Sequence, residues 1–188
     1  MTTTANHEVL EPLPGYRSIE AGLFVAQLDE LTGRLLAHVD GATPEELAWQ
    51  PAPGTNTIGM LLAHIAIVEV FWIQIALGRT EFATEDSLGI NIDDDGMPIA
   101  DGALPPANLA GKDLAYYLTL IGKGREYVKN ATRGFGEREL EREVTRTQGD
   151  GKVRTVNLRW IYYHLVEHLG GHYGQINLLR HLYRTRRA

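Results

Sequence analysis

The sequence predicts an all-α fold, a four-helix bundle, on three observations. Four long stretches carry apolar residues at spacings of three and four, strand-like alternation is confined to one short segment, and the breaks between stretches are rich in Pro, Gly and Asp. The length of 188 residues suits a single domain, 1–188, that buries its core without disulfides or clusters. A composition of 44% hydrophobic and 22% charged residues is that of an ordinary globular protein.

The first helix begins after Ser18, a good N-cap, and presents Phe24, Leu28, Leu31, Leu35 and Val39 as one stripe. A short helical turn follows at Thr43-Pro44-Glu45-Glu46, with Thr as cap and Pro in the first helical position, before Gln50-Pro51-Ala52-Pro53-Gly54 breaks the chain. The second helix, Thr57 to Leu77, ends at Gly78, a residue suited to the left-handed conformation that closes helices. From Arg79 to Ala110 no helical period is sustained. Asp93-Asp94-Asp95-Gly96, Pro98 and Pro105-Pro106 punctuate this stretch, which reads as a long crossover able to join two parallel helices.

A third helix covers Lys112 to Thr132 and turns Leu114, Tyr117, Leu118, Ile121 and Val128 inward, at some cost in propensity from Gly122 and Gly124. Glu143–Thr147 and Lys152–Val156 flank Gln148-Gly149-Asp150-Gly151 as a small β-hairpin before the fourth helix. That helix runs from about Asn157 to Tyr183.

Several function classes are set aside by composition. A formal charge of -6 and a pI near 5.6 argue against a nucleic-acid partner, and the basic end Arg184, Arg186 and Arg187 is too short to reverse that. With no cysteine the chain offers no thiolate, so any thiol chemistry needs a substrate thiol. Met1 to Leu10 has neither a basic leader nor a long apolar run, which points to the cytoplasm. The segment Thr57 to Leu77 is apolar enough to span a membrane, but His64 and Glu69 interrupt it. A carboxylate at mid-span costs about 3 kcal/mol, so a buried bundle helix is expected and no membrane partner.

The histidines carry the chemistry. With Leu158 set at zero and about 100° per residue, His168 falls at about 280° and His172 at about 320°, inside the stripe of Leu158, Ile161, Leu165, Leu169, Ile176 and Leu179. His164, at about 240°, lies at its margin and reads as structural, the natural replacement ligand under a different helix phase, while Glu167, at about 180°, faces away. Two inward imidazoles one turn apart can reach one metal ion. Left unpartnered they would waste their hydrogen-bonding capacity, whereas a metal takes one nitrogen from each and leaves the other for an acceptor behind it.

A third ligand comes from the second helix, where His64 sits in an aliphatic run. Glu69 is about 140° away from it around the helix, among Leu62, Ile65, Trp72 and Ala76. A buried carboxylate needs a partner, so Glu69 is either a supporting group or general base, or a carboxylate bonded to a Tyr, a Trp or an amide. His7, His38 and His181 read as solvated. Gly170, Gly171 and Gly174 cost about 1 kcal/mol each in a helix interior, which a close neighbour offsets or local looseness explains.

Two motifs then bear comparison. Gly54-Thr55-Asn56-Thr57-Ile58-Gly59-Met60-Leu61-Leu62-Ala63-His64, with Glu69 and Trp72 after it, resembles the second-helix motif of the DinB/YfiT-like family. His164-Leu165-Val166-Glu167-His168-Leu169-Gly170-Gly171-His172-Tyr173-Gly174-Gln175-Ile176, closing with Leu179-Arg180, is similar to that family's other motif. The resemblance spans most of the chain. It implies an up-down-down-up bundle with a metal held by His64, His168 and His172, and kinship with transferases and isomerases that use low-molecular-weight thiols such as mycothiol or bacillithiol.

The leading expectation is therefore a metal-dependent enzyme on small molecules, of thiol S-transferase type, in which an open coordination position ionises a substrate thiol and Glu69 or water takes the proton. A metal-dependent hydrolase and a non-catalytic, stress-related metal-binding bundle are the alternatives. A zincin protease is disfavoured because no glutamate directly follows His168. Imidazole ligation suits a divalent transition metal, with zinc first on availability and nickel second. A homodimer is compatible with apolar outer faces.

Overall fold

The computed structural model describes residues 9–79, 82–97, 99–147 and 151–186; His7, Gln148 to Asp150 and Arg187 lie outside the described residues. Seven α-helices and one antiparallel hairpin are found among the described residues. α1 (Ile19–Val39) starts where Ser18 Oγ accepts from the Ala21 amide, and α2 (Pro44–Ala48) where Thr43 accepts from Glu46. α3 (Ile58–Ala76) is capped by Thr57, which accepts from Met60, and closes at Gly78, whose φ of 75° an L-side chain rarely adopts. Each such cap satisfies an orphan helix N–H and is worth about 1 kcal/mol.

The connection after α3 is not wholly irregular, since it holds α4 (Glu85–Leu88) and a 3-10 turn at Ala107–Leu109. α5 (Leu114–Thr132) begins two residues later than the apolar pattern suggests, because the Asp113 carboxylate accepts from the Tyr116 amide and fixes the start. α6 (Glu137–Glu141) was not expected: five residues are too few for a period to register, and its start is held by Glu139, which accepts from the Gly136 amide at 2.9 Å. β1 (Glu143–Thr147) pairs with β2 (Val153–Asn157), and α7 (Leu158–Thr185), capped by Asn157, completes the chain.

α3 is the hub, packing against α5 and α7, while α1 lies on α7. All but two of its residues, His64 and Phe71, are buried. The helix is long and apolar enough to cross a membrane, and 89% of its most apolar window is buried inside the protein. Gly124 of α5 permits the close α3–α5 approach, since a Cβ there would lie 3.1 Å from the Ala66 carbonyl oxygen. Gly170, Gly171 and Gly174 have no described neighbour within 4 Å of a would-be Cβ, and nothing in the structure explains their choice.

The charges in this core are paired. Arg125 of α5 donates from Nε and Nη2 to the two carboxylate oxygens of Glu69 on α3, at 3.2 and 2.5 Å, and from Nη1 to Asp29 of α1 at 2.9 Å. Lys129 closes the group on Asp29 at 2.7 Å. A second buried pair, Arg180 Nε to Glu46 at 2.9 Å, ties α7 to α2.

Candidate metal centre

α3 and α7 each bring histidine to one place for reasons visible in the chain. On α7 the positions 165, 169 and 176 are buried in the core, and His168 and His172 flank them one helical turn apart. On α3 His64 is one of the two residues that the packed helix leaves partly open. His64 Nε2 lies 3.0 Å from His168 Nε2, which lies 3.0 Å from His172 Nε2. One nitrogen from each ring falls within 4.8 Å of the others, a group able to hold a metal ion.

The hydrogen bonds behind the rings set their tautomers. Nδ1 of His64 donates to Asp95 Oδ2 at 2.6 Å, and Nδ1 of His172 donates to Gln175 Oε1 at 2.8 Å. With their protons on Nδ1, both rings present bare Nε2 lone pairs to His168. His168 has one N–H at most to offer, so one close contact must set lone pair against lone pair. A cation at the centre turns that repulsion into attraction, so this donor set fits a transition metal bound by neutral imidazoles.

Asp95 is the residue that sequence reasoning missed. It comes from the 79–113 connection, is only 1% exposed, and is held by the Met97 amide, which donates to Oδ1 at 2.8 Å. A carboxylate behind a ligating histidine fixes ring orientation and raises ligand basicity. The run Asp93-Asp94-Asp95-Gly96 was the available signal, but nothing in it says which of three carboxylates turns inward. Gln175 escaped notice likewise.

The other expected residues fall elsewhere. Both Glu69 oxygens are engaged by Arg125. His164 stands outside the nitrogen cluster, stacked on Trp160 with centroids 4.9 Å apart and planes 13° from parallel. His38 and His181 are exposed, and His38 meets the Tyr173 hydroxyl at 2.8 Å.

Above the histidines opens a cleft of about 420 Å³, with Ile67, Val68, Phe71, Trp72 and Met97 as apolar walls and His164 at its side. Two larger surface depressions, about 720 and 490 Å³, contain no histidine and lack this convergence of donors.

Burial, reinforced by His172, His64 and His164, pushes the His168 imidazole down to about 2 from its ordinary 6.5, and burial lowers His172 and His164 as well. Between those two values the unfolded chain binds the proton that the folded chain refuses, so stability falls as pH drops below about 6.5. Metal-free protein is expected to melt at a lower temperature at about pH 5 than at about pH 7.5, followed by calorimetry with chelator present, and His168→Ala should flatten the dependence. An unchanged melting temperature would mean that these imidazoles protonate freely within the fold.

A comparison with curated proteins finds no match. A family model described as mycothiol-S-transferase matches residues 23–185, from within α1 to the last residue of α7, taking in all three histidines and Asp95. With a match over most of its length, the chain belongs to the mycothiol S-transferase family, within the DinB/YfiT-like superfamily that its two motifs resemble.

Proposed function

We propose that this protein is a cytoplasmic, metal-dependent S-transferase that joins a low-molecular-weight thiol of the mycothiol kind to a small electrophile, with His64, His168 and His172 holding one zinc ion. The observation that carries this reading is that the Nε2 atoms of His64 and His172 each lie 3.0 Å from that of His168, with Asp95 and Gln175 placed to hold the protons of the two outer rings on Nδ1. Membership of the family supports the thiol as co-substrate. The four long helices α1, α3, α5 and α7 are read as one up-down-down-up bundle in a single domain, the long 79–113 connection allowing α3 and α5 to run parallel.

Zinc supplies a Lewis acid that lowers the pKa of a thiol placed beside it. The chain does the rest. Asp95 and Gln175 keep the ligand lone pairs aimed at one centre. Phe71, Trp72, Val68 and Met97 exclude water from the cleft and receive the apolar part of the electrophile. His164, kept neutral by burial, turns Nδ1 toward Glu167, which leaves Nε2 to take the thiol proton. Glu69, bound through both oxygens to Arg125, is in this reading a structural anion.

The test is thiol consumption by the full chain. Zinc-reconstituted protein is expected to accelerate loss of mycothiol in the presence of an aryl halide by at least about 100-fold over chelator-treated protein, in line with what positioned acid–base and metal catalysis contribute. Equal rates with and without zinc, across several thiols and electrophiles, would remove the basis for the reading.

A further inference from the structure

The hairpin sets Arg146 directly opposite Arg154. Cross-strand partners share one face of the ribbon. Here that face turns inward, since Val156 beside them is buried whereas Thr145 and Thr155, on the other face, are exposed and bond to each other at 2.8 Å. Like charges placed opposite one another repel and weaken a hairpin unless something compensates. Among the described residues neither guanidinium meets a carboxylate. Each lies instead on aromatic rings, Arg146 at 5.0 Å from the Phe71 centroid and 5.8 Å from Trp72, and Arg154 at 4.1 Å from Trp160.

Those rings are not remote from the chemistry. Phe71 and Trp72 wall the histidine cleft, and Trp160 stacks on His164, which also lines it. A guanidinium over an aromatic face is held by the ring quadrupole, and among the described residues neither Arg146 nor Arg154 donates a side-chain hydrogen bond. Of the carboxylates lining the cleft, Asp95 is committed to His64 and the Met97 amide, and Asp93 is exposed to solvent. Two cross-strand, partly buried cations therefore lie against the rings that border the apolar cleft, outside its immediate lining.

We infer that Arg146 and Arg154 form a carboxylate clamp, and that the co-substrate is an acid with an aromatic or aliphatic body lying against Phe71 and Trp72. The inference rests on the S-transferase reading for the direction of the reacting atoms, not for the clamp itself. Planar bidentate recognition of carboxylate is the task guanidinium performs and ammonium does not. The acid group can belong to the electrophile or to the thiol, and the two are separable by experiment.

Zinc-loaded full-length protein is titrated calorimetrically with a chloronitrobenzoate and with the matching chloronitrobenzamide, and in a second arm with N-acetylcysteine and its amide. Wild type is expected to prefer the acid by at least about tenfold in one arm, and the double variant Arg146→Gln/Arg154→Gln to lose that preference while amide affinity and zinc content stay unchanged. The arm that responds identifies the carboxylate's owner. The variant Arg146→Lys/Arg154→Lys, which keeps charge and most of the packing, should retain only part of the preference. Equal affinity for acid and amide in both arms, or parallel loss of both in the glutamine variant, overturns the clamp.

Turnover separates this from the parent reading. In the aryl chloride reaction sulfur bonds to the ring carbon, chloride leaves with its electron pair, and the thiol proton passes to His164 Nε2 and from there to solvent. No thiol loss with either aryl chloride counts against the transferase while calorimetry still decides the clamp. Equal turnover of acid and amide, unchanged in the double variant, leaves the transferase standing and overturns the clamp.

Discussion

Replacing His168 with alanine is expected to strip the protein of its metal and reduce thiol transfer to background. His168 is the middle member of the cluster, 3.0 Å from the nitrogens of both His64 and His172, so its removal leaves two imidazoles with nothing between them. Changes to outer hydrogen-bond partners cost about 10–100-fold in metal affinity, and loss of a ligand itself should cost more than about 100-fold. Elemental analysis of untagged protein should give about one equivalent of transition metal in wild type and almost none in His64→Ala, His168→Ala and His172→Ala, since three-histidine sites depend on every ligand. His164→Ala, whose ring stands outside the cluster, should keep its metal. A stoichiometric ion in His168→Ala would mean that the site is somewhere else.

The second large effect lies in the core. Breaking a buried pair by removing one partner costs about 3–5 kcal/mol, because the survivor is left charged without compensation. The side chains of Arg125 and Glu69 are only 7% and 4% exposed, so Arg125→Met should lower unfolding free energy by about that amount in urea titrations, and Glu69→Gln by less, because Arg125 keeps Asp29. Arg125→Met frees both Glu69 oxygens and takes one partner from Asp29, which keeps Lys129 at 2.7 Å. The double change Glu69→Leu/Arg125→Met should recover most of the loss, as hydrophobic replacement of buried pairs does. Metal content per folded molecule in Glu69→Gln is expected to equal that of wild type. A variant that stays as stable as wild type but loses turnover would make Glu69 a participant in the chemistry.

The parts of this protein that sequence made legible are those governed by period and by capping. Ser18 and Thr43 cap the helices they mark, and the stripe through Leu158, Ile161, Leu165, Leu169 and Ile176 is buried as its spacing requires. The histidine group was legible for the same reason, since an i, i+4 pair on the inward side of a helix restricts direction strongly. Helix α6 was not, being shorter than two turns. Asp95 was not either, because a side chain on an irregular connection has no period to fix its direction, and three adjacent carboxylates are equivalent until the backbone folds. The partner of Glu69 lies 56 positions away on another helix, and nothing local distinguishes Arg125 from a solvated arginine.

One consequence follows from where Asp95 sits. The carboxylate that aims His64 is anchored by the Met97 amide, and Ile92, Asp93 and Met97 of the same short segment line the cleft mouth. In the proposed enzyme, substrate scope and metal retention would thereby depend on one stretch of backbone. A lineage that remodels this segment to admit a new electrophile disturbs the tilt of a ligand ring at the same time. Tolerated change should concentrate instead on the opposite wall, at Val68 and Phe71, where side chains can be exchanged on a rigid helix without moving the hydrogen-bond partners of His64 and His172.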